Sequence, residues 1–289
     1  MPGQTREGDS MDKIASINSS GATISDAEFK KLREFIYDKL GLDVDEKKKE
    51  TVSTKISKLT TRHGMKSPKD YVGYILSTSD PEIIQEFFNE ITTNTTEFFR
   101  ESAHFDYIKN NIDKLIAEIP KIKRENEIRV WSAPCSSGEE PITTAIVLKE
   151  CLQPGIKIKI LATDISEKIL NKANKGLYTE SECKGLNKNQ MLKYFQKQPD
   201  GFYKIADEIK SCITYRLFNV MAEFKFKKDF DMVFCRNLMI YMDHDVQEKL
   251  VNKFYEVLAP NGLFFIGHSE SLLNKKHNFR YVQTALFKK

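Results

Sequence analysis

The chain has 289 residues, 40% of them hydrophobic and 30% charged, which excludes a disordered or fibrous protein and allows one or two globular domains. Its 45 basic and 41 acidic residues leave a net charge of +4, too small a balance to argue for nucleic acid by itself. Apolar runs such as residues 145–148 and 263–266 fall far short of the roughly 18 residues that a membrane span needs, so no membrane insertion is expected.

Residues 1–22 are rich in Gly, Ser and Asn, aperiodic, and without the apolar stretch of a secretory signal; a flexible tail is expected there. Ser25 and Glu28 then form a capping-box pattern, with Phe29, Leu32, Phe35, Ile36 and Leu40 at helical spacing and Gly41 as the stop. A second helix carries Val52, Ile56 and Leu59 on one face and ends near Gly64. A third starts at Ser67-Pro68, and a fourth at Asp80-Pro81 turns Ile83, Ile84, Phe87, Phe88 and Ile91 inward. Residues 23–92 are therefore expected to form an all-α N-terminal domain, and residues 93–127 a linker and connecting helix.

From residue 128 the pattern changes. Short apolar runs at 128–133, 156–163, 231–235 and 263–267 alternate with helical segments near 140–152, 166–175 and 243–258, the pattern of an α/β parallel sheet with crossover helices. The polar interval 176–212 breaks that rhythm and is expected to be a small inserted subdomain, with a possible strand at 202–205. Five cysteines, widely spaced and with no CxxC pair, point to a reducing, cytoplasmic setting without a disulfide framework or a structural zinc; no metal is expected.

Four stretches carry chemistry. In Ser132-Ala133-Pro134-Cys135-Ser136-Ser137-Gly138-Glu139-Glu140 a strand runs through small residues into a helix, where α/β folds hold nucleotide-like ligands. Carboxylates at 139 and 140 would repel pyrophosphate but suit a ligand with a cationic portion and free hydroxyls, such as S-adenosylmethionine. The alternative is an ordinary acidic first turn. Asp164 ends the next strand, placed to accept hydrogen bonds from ribose hydroxyls or to cap the helix that follows. Arg236, Asn237 and Tyr241 follow a buried strand at its carboxyl end, the ligand-binding edge of such sheets. Upstream, Thr92-Thr93-Asn94-Thr95-Thr96-Glu97-Phe98-Phe99-Arg100 reads as a capping linker whose two phenyl rings anchor it and aim Arg100 at an anion.

These stretches, in this order over residues 25–289, resemble the chemotaxis receptor methyltransferases of the CheR family: a helical N-terminal domain, TTNTTEFFR, CSSGEEP, ATD, CRNLMIYMD and the late GHSE segment. The resemblance implies a Rossmann-like S-adenosylmethionine-dependent methyltransferase domain at 128–289, with the insertion at 176–212, behind the all-α bundle. It also implies a cofactor site made by Asn94, Thr96, Arg100, Glu139, Asp164, Asn219, Val220, Arg236 and Asn237. Ile142-Thr143 stands where the family usually has Tyr-Ser. The segment 196–201 is short where relatives that dock on a receptor's C-terminal pentapeptide carry a Gly-rich loop, so docking independent of such a pentapeptide is expected.

The implied reaction is methyl transfer to receptor glutamates, giving methyl esters and S-adenosylhomocysteine, by a monomer acting on the receptor's cytoplasmic domain. A glutamate is already ionised at neutral pH, with an unperturbed pKa of about 4.3, so no general base is needed. Arg100 and Tyr241 are expected beside the reacting groups. Lys55, Lys58 and Arg62, at i, i+3 and i+7 on the second helix, are either a solvated face or a positive surface for the acidic receptor. Two other classes remain: a nucleic-acid methyltransferase, which lacks here an Asn-Pro-Pro-aromatic motif, and a non-catalytic signalling module that binds cofactor or receptor without turnover.

Overall fold

Ser25 starts the first helix with both halves of a capping box: its hydroxyl accepts from the Glu28 N–H, and Glu28 accepts from the Ser25 N–H at 2.7 Å. The computed structural model describes residues 23–289, and the expected flexible tail lies outside the described residues. Helix α1 (Asp26–Leu40) ends at Gly41, whose φ of 67° is the left-handed region that glycine enters at no steric cost. A short 3-10 turn (Glu46–Lys48) leads into α2 (Lys49–Arg62), followed by α3 (Pro68–Ser77) and α4 (Pro81–Ile91). Phe29, Leu32, Ile36, Val52, Ile56, Leu59, Tyr71, Ile75 and Phe87 fill the core among these helices. On α4, Phe87 and Phe88 are buried, whereas Ile83, Ile84 and Ile91 are only half-buried around that core.

The segment expected to link and connect carries two helices, α5 (Ala103–Glu118) and α6 (Pro120–Glu125). Helix α5 packs on the flank of the sheet that follows: Phe105, Ile108, Ile112 and Leu115 join one core with Val130, Ile146 and Phe265. The strands and helices then run β1 (Glu127–Ser132), α7 (Glu139–Cys151), β2 (Lys157–Asp164) and α8 (Glu167–Lys175). Next come β3 (Leu177–Tyr178), α9 (Lys188–Tyr194), β4 (Phe195–Lys197), β5 (Tyr203–Ile205), α10 (Asp207–Lys210) and β6 (Ile213–Leu217). The chain closes with β7 (Phe230–Cys235), α11 (His244–Val257), β8 (Leu258–Ile266), β9 (Arg280–Gln283) and β10 (Leu286–Lys288).

Seven strands form one sheet in the order β6-β2-β1-β7-β8-β10-β9. The five from β6 to β8 are parallel, as the alternating pattern requires. The sheet is nevertheless mixed, because β10 runs antiparallel to both β8 and β9. The physical reason is length: only Thr284 and Ala285 separate β9 from β10, enough for a hairpin and far too few for a helical crossover. Residues 176–212 fold as a separate antiparallel sheet, β3-β5-β4, with α9 and α10. On one face of the main sheet Trp131 is fully buried among Phe218, Phe224, Phe226, Phe230 and Phe254, at centroid separations of 4.8 to 5.8 Å, and its indole N–H donates to Thr163 Oγ1 at 2.9 Å.

Candidate active site

The parallel strands β2, β1 and β7 deliver three polar groups to one edge. At the end of β2, Asp164 is 3% exposed and each carboxylate oxygen accepts one backbone N–H: Oδ2 from Ser136 at 2.9 Å and Oδ1 from Ser166 at 3.0 Å. Burial raises its pKa, and the N–H bonds from Ser166 and Ser136 only partly oppose that. Ser166 rather than Asp164 caps α8, through its hydroxyl and the Ile169 N–H, so the capping alternative for Asp164 falls away. After β1, the small residues 133–138 turn into α7 with Gly138 at φ 98°, where an added Cβ would meet Tyr178 Oη at 2.9 Å and Tyr215 Oη at 3.0 Å.

After β7 the chain enters a tight corner. Asn237 has φ 57°, and its N–H donates to Glu270 Oε2 at 3.0 Å. Glu270 also accepts from the Met239 N–H at 2.7 Å and the Gly267 N–H at 2.5 Å, so one half-exposed acid holds the exits of both β7 and β8. Arg236 is 6% exposed and clamps three groups. Its Nε donates to Glu101 Oε2 at 3.1 Å, its Nη1 to Glu140 Oε2 at 2.9 Å, and its Nη2 to the Arg100 carbonyl. Burial pushes the Glu140 carboxyl up, against the attraction of Arg236. For Glu101 burial acts the same way, but Arg236 and the His268 N–H outweigh it and the net shift is downward. Arg236 thereby ties the incoming linker to the end of β7.

The linker lies across this edge. Phe98 is buried edge-on against Tyr178 and Phe195, with centroids 5.0 and 5.6 Å away, which anchors the segment as its composition implied. The Asn94 carbonyl accepts from Ser136 Oγ at 3.0 Å, and Arg100 Nη1 donates to the Thr95 carbonyl at 2.9 Å. Two adjoining hollows result, sharing Thr93, Asn94, Pro134, Asp164 and Asn237. The smaller is bordered by Thr96, Arg100, Glu140 and Arg236. The larger offers about 160 Å³, and Ile165, Phe218, Val220 and Leu238 give it an apolar wall.

The larger hollow is closed by the helical domain: Leu42, Asp43, Lys48, Val52 and Lys55 face Asn219 and Tyr241 across it. The Asp43 N–H donates to the Tyr241 carbonyl at 2.7 Å, and the Lys48 ammonium lies 4.5 Å from the centre of the Tyr241 ring. Asn219 spans the same seam, with Nδ2 donating to the Lys39 carbonyl at 2.7 Å and Oδ1 accepting from the Met221 N–H at 2.9 Å.

Of the residues singled out in the sequence, Asn94, Thr96, Arg100, Asp164, Asn219, Val220, Arg236, Asn237 and Tyr241 border these hollows. Glu139 does not: it is 2% exposed, turned away from both, and accepts twice from the Ser137 hydroxyl at 2.7 and 2.8 Å. Its neighbour Glu140 is the acid at the hollow. Either could be read from the letters, and the helical turn, about 100° per residue, sends consecutive side chains to different faces. Glu101, Lys48 and Asp43 carried no readable signal, since each gains its place only when separate elements meet.

Two family profiles cover the described chain almost end to end. Residues 27–92 match the CheR methyltransferase all-alpha domain, and residues 94–287 match the CheR methyltransferase SAM binding domain. This chain belongs to the CheR methyltransferase family. Among individual proteins, it is 38% identical over 271 residues to the chemotaxis protein methyltransferase of Borreliella burgdorferi, spanning 92% of this chain and 95% of that one. It is 32% identical over 262 residues to the chemotaxis protein methyltransferase of Escherichia coli, spanning 89% and 88%. A probable chemotaxis protein methyltransferase of Rhizobium etli is 33% identical over 260 residues, spanning 88% and 96%.

The groups at the CheR-family cleft suit S-adenosylmethionine. A buried carboxylate at the end of β2 matches ribose hydroxyls, the wall of Phe218 and Val220 an adenine face, and the Arg100 guanidinium a carboxylate. Asp164 and Glu140 border the smaller hollow, where Arg236 pairs with Glu140 at 2.9 Å and Asp164 is left without a cationic side chain as partner.

Proposed function

We propose that the protein transfers a methyl group from S-adenosylmethionine to glutamate side-chain carboxylates of chemotaxis receptors, giving glutamate methyl esters and S-adenosylhomocysteine. The observation that carries this reading is the continuity of the two hollows, which join at Asn94, Asp164 and Asn237 beneath Arg100 and Tyr241. S-adenosylmethionine supplies an electrophilic methyl on a sulfonium when bound.

The chain's own residues would do the rest. Asn94, Thr96, Arg100, Asp164, Asn219, Val220, Arg236 and Asn237 hold and orient the cofactor. Glu139 acts at one remove, fixing the Ser137 turn that leads into α7. Arg100 and Tyr241 flank the acceptor carboxylate, and the helical domain excludes water from that end. No proton has to be removed from an ionised carboxylate, which accords with the described residues bordering the cleft including no histidine. Rate enhancement would come from alignment and a dry, pre-organised site, worth up to about 7–11 kcal/mol of barrier in well-oriented systems.

Docking is assigned to α2. Lys58 and Arg62 remain 63% and 51% exposed, although Glu90 lies 3.7 Å from Lys58 and Glu86 only 2.7 Å from Arg62. Lys55 turns inward instead, donating to the Ile91 carbonyl at 2.9 Å and the Thr92 carbonyl at 3.3 Å. Its contribution to docking would be indirect, through the linker it holds. We assign the protein to the cytoplasm, as a monomer that needs no receptor pentapeptide.

Incubation with methyl-labelled S-adenosylmethionine and either receptor cytoplasmic fragments or nucleic acid tests the reading. Base-labile label on receptor protein is expected. Label on nucleic acid, or none anywhere, overturns it. In the same assay Arg100→Ala should lower kcat/KM by about a hundredfold, on the scale of a charge-assisted contact worth roughly 3 kcal/mol. Unchanged turnover by the folded variant would remove Arg100 from the site.

A further inference from the structure

Glu101 and His104 stand three residues apart at the start of α5, and the chain returns to them with His268 just after β8. One ligand atom from each lies within 4.8 Å of the other two. Glu101 Oε2 is 3.9 Å from His104 Nδ1, its Oε1 accepts from the His268 N–H at 3.1 Å, and the two imidazole centres are 5.2 Å apart.

His104 is the anomaly. It is 0% exposed, wedged edge-on against Phe265 at 5.3 Å, and neither ring nitrogen makes a hydrogen bond of good geometry among the described residues, the Ala285 backbone giving only a weak contact. An imidazole costs free energy to bury with both nitrogens unmatched, and such groups are rare in folded proteins. Packing alone would be served better by an apolar side chain. An orphaned nitrogen facing a carboxylate and a second imidazole is what a metal ion satisfies.

We propose that Glu101, His104 and His268 bind a late first-row divalent cation of the zinc type, with water in the remaining position. Two imidazoles and one carboxylate are a donor set suited to zinc, copper and nickel and ill-suited to magnesium or calcium, which take oxygen. Glu101 precedes α5 at φ 56° and His104 lies in its first turn, an arrangement that brings the carboxylate to 3.9 Å from the imidazole without both being helical. Bonds of about 2.0–2.1 Å put tetrahedral ligands about 3.3–3.4 Å apart, so the cluster must tighten by roughly an ångström. His268 can supply that movement, since it is exposed on a loop and also opens the path by which an ion would enter. The sequence pattern gave no hint of this, because His268 lies more than 160 positions from its partners in the chain. None of the three residues borders the cleft, but Glu101 Oε2 also accepts from Arg236 Nε at 3.1 Å, so an ion would share that carboxylate with a residue of the cleft and engage it through the oxygen that faces His268 or by displacing Arg236.

The full chain, stripped with a chelator, is titrated with Zn²⁺ against a chromogenic competitor, and with Co²⁺ for its visible d–d bands. One equivalent should bind, with Co²⁺ bands of a nitrogen- and oxygen-ligated tetrahedral centre. His268→Ala, an exposed change that leaves the core intact, should weaken Zn²⁺ at least about tenfold and abolish the bands. Zn²⁺ should raise the unfolding temperature of the parent chain and not of His268→Ala. Absence of binding by the parent chain, or equal affinity in His268→Ala, overturns the proposal.

Discussion

Asp164 shows how a single side chain can trade stability for readiness. Its folded pKa is raised above the ordinary 3.8, so whatever stability its protonation contributes is present below 3.8 and lost as pH rises through the folded value. At neutral pH the fold therefore carries a buried charge it would be easier to leave out. Asp164→Asn removes the charge but sets an amide donor against one of the two N–H groups, so the two effects should offset to within about 2 kcal/mol at pH 7, by urea unfolding, while S-adenosylmethionine binds roughly ten- to a hundredfold more weakly. That corresponds to about 1.5–3 kcal/mol for a bond to a charged acceptor. In the parent chain, affinity should fall with decreasing pH through a midpoint above 3.8, and in Asp164→Asn that dependence should flatten. Arg236 was legible in the sequence as a polar residue ending an apolar strand. Its partners were not: Glu101 and Glu140 lie 135 and 96 positions away, and no local pattern pairs them.

At the scale of elements, helix starts and stops were the most legible features. Ser25, Ser67-Pro68 and Asp80-Pro81 each open a helix, and Gly41 closes one, because caps satisfy backbone groups within a few residues of themselves. Strands β1, β2, β7 and β8 were readable for the same reason, as local apolar runs, with β1 and β7 buried nearly throughout. Edge elements were not. Strand β6 has alternating half-exposed residues, and β9 and β10 are short, so each depends on a neighbour's hydrogen bonds rather than on its own composition. Helix α2 shows the same limit in its charges. Three cations on one helical face were read together, but α4 lies beneath that face and takes Lys55 into the structure. Lys58→Glu should slow receptor methylation and leave stability nearly unchanged, because surface pairs contribute little. Lys55→Ala should instead lower the unfolding free energy by about 1–2 kcal/mol, by leaving two helix-end carbonyls without a donor. Receptor methylation at several salt concentrations, beside urea unfolding of both variants, separates docking from folding.

At the scale of the whole molecule, the +4 total conceals a distribution: buried acids at the cofactor end and paired bases on the helical domain. The seam between the two parts bounds the larger hollow of the candidate site, so the shape of that hollow depends on how they sit together. Asn219 crosses it, with one bond to the helical domain and one to its own loop. Asn219→Ala should raise the KM for S-adenosylmethionine several-fold, as loss of two hydrogen bonds at about 0.5–1.5 kcal/mol each permits, with a smaller change in kcat. A change in kcat alone would assign Asn219 to the chemistry instead of the wall.

By itself the sequence determined the order of elements, the α/β class, the strand ends that carry polar residues, and the linker motif that points to methyl transfer. These are local: a cap, a period or a strand terminus is decided by residues near one another in the chain. Tertiary structure alone decided which of two adjacent acids meets the cleft, which lysine is spent on a helix end, and that an antiparallel hairpin completes the sheet. It also brought His268 to Glu101 and His104. Each of these depends on the direction of a side chain relative to a distant element, and that direction exists only once the layers have packed.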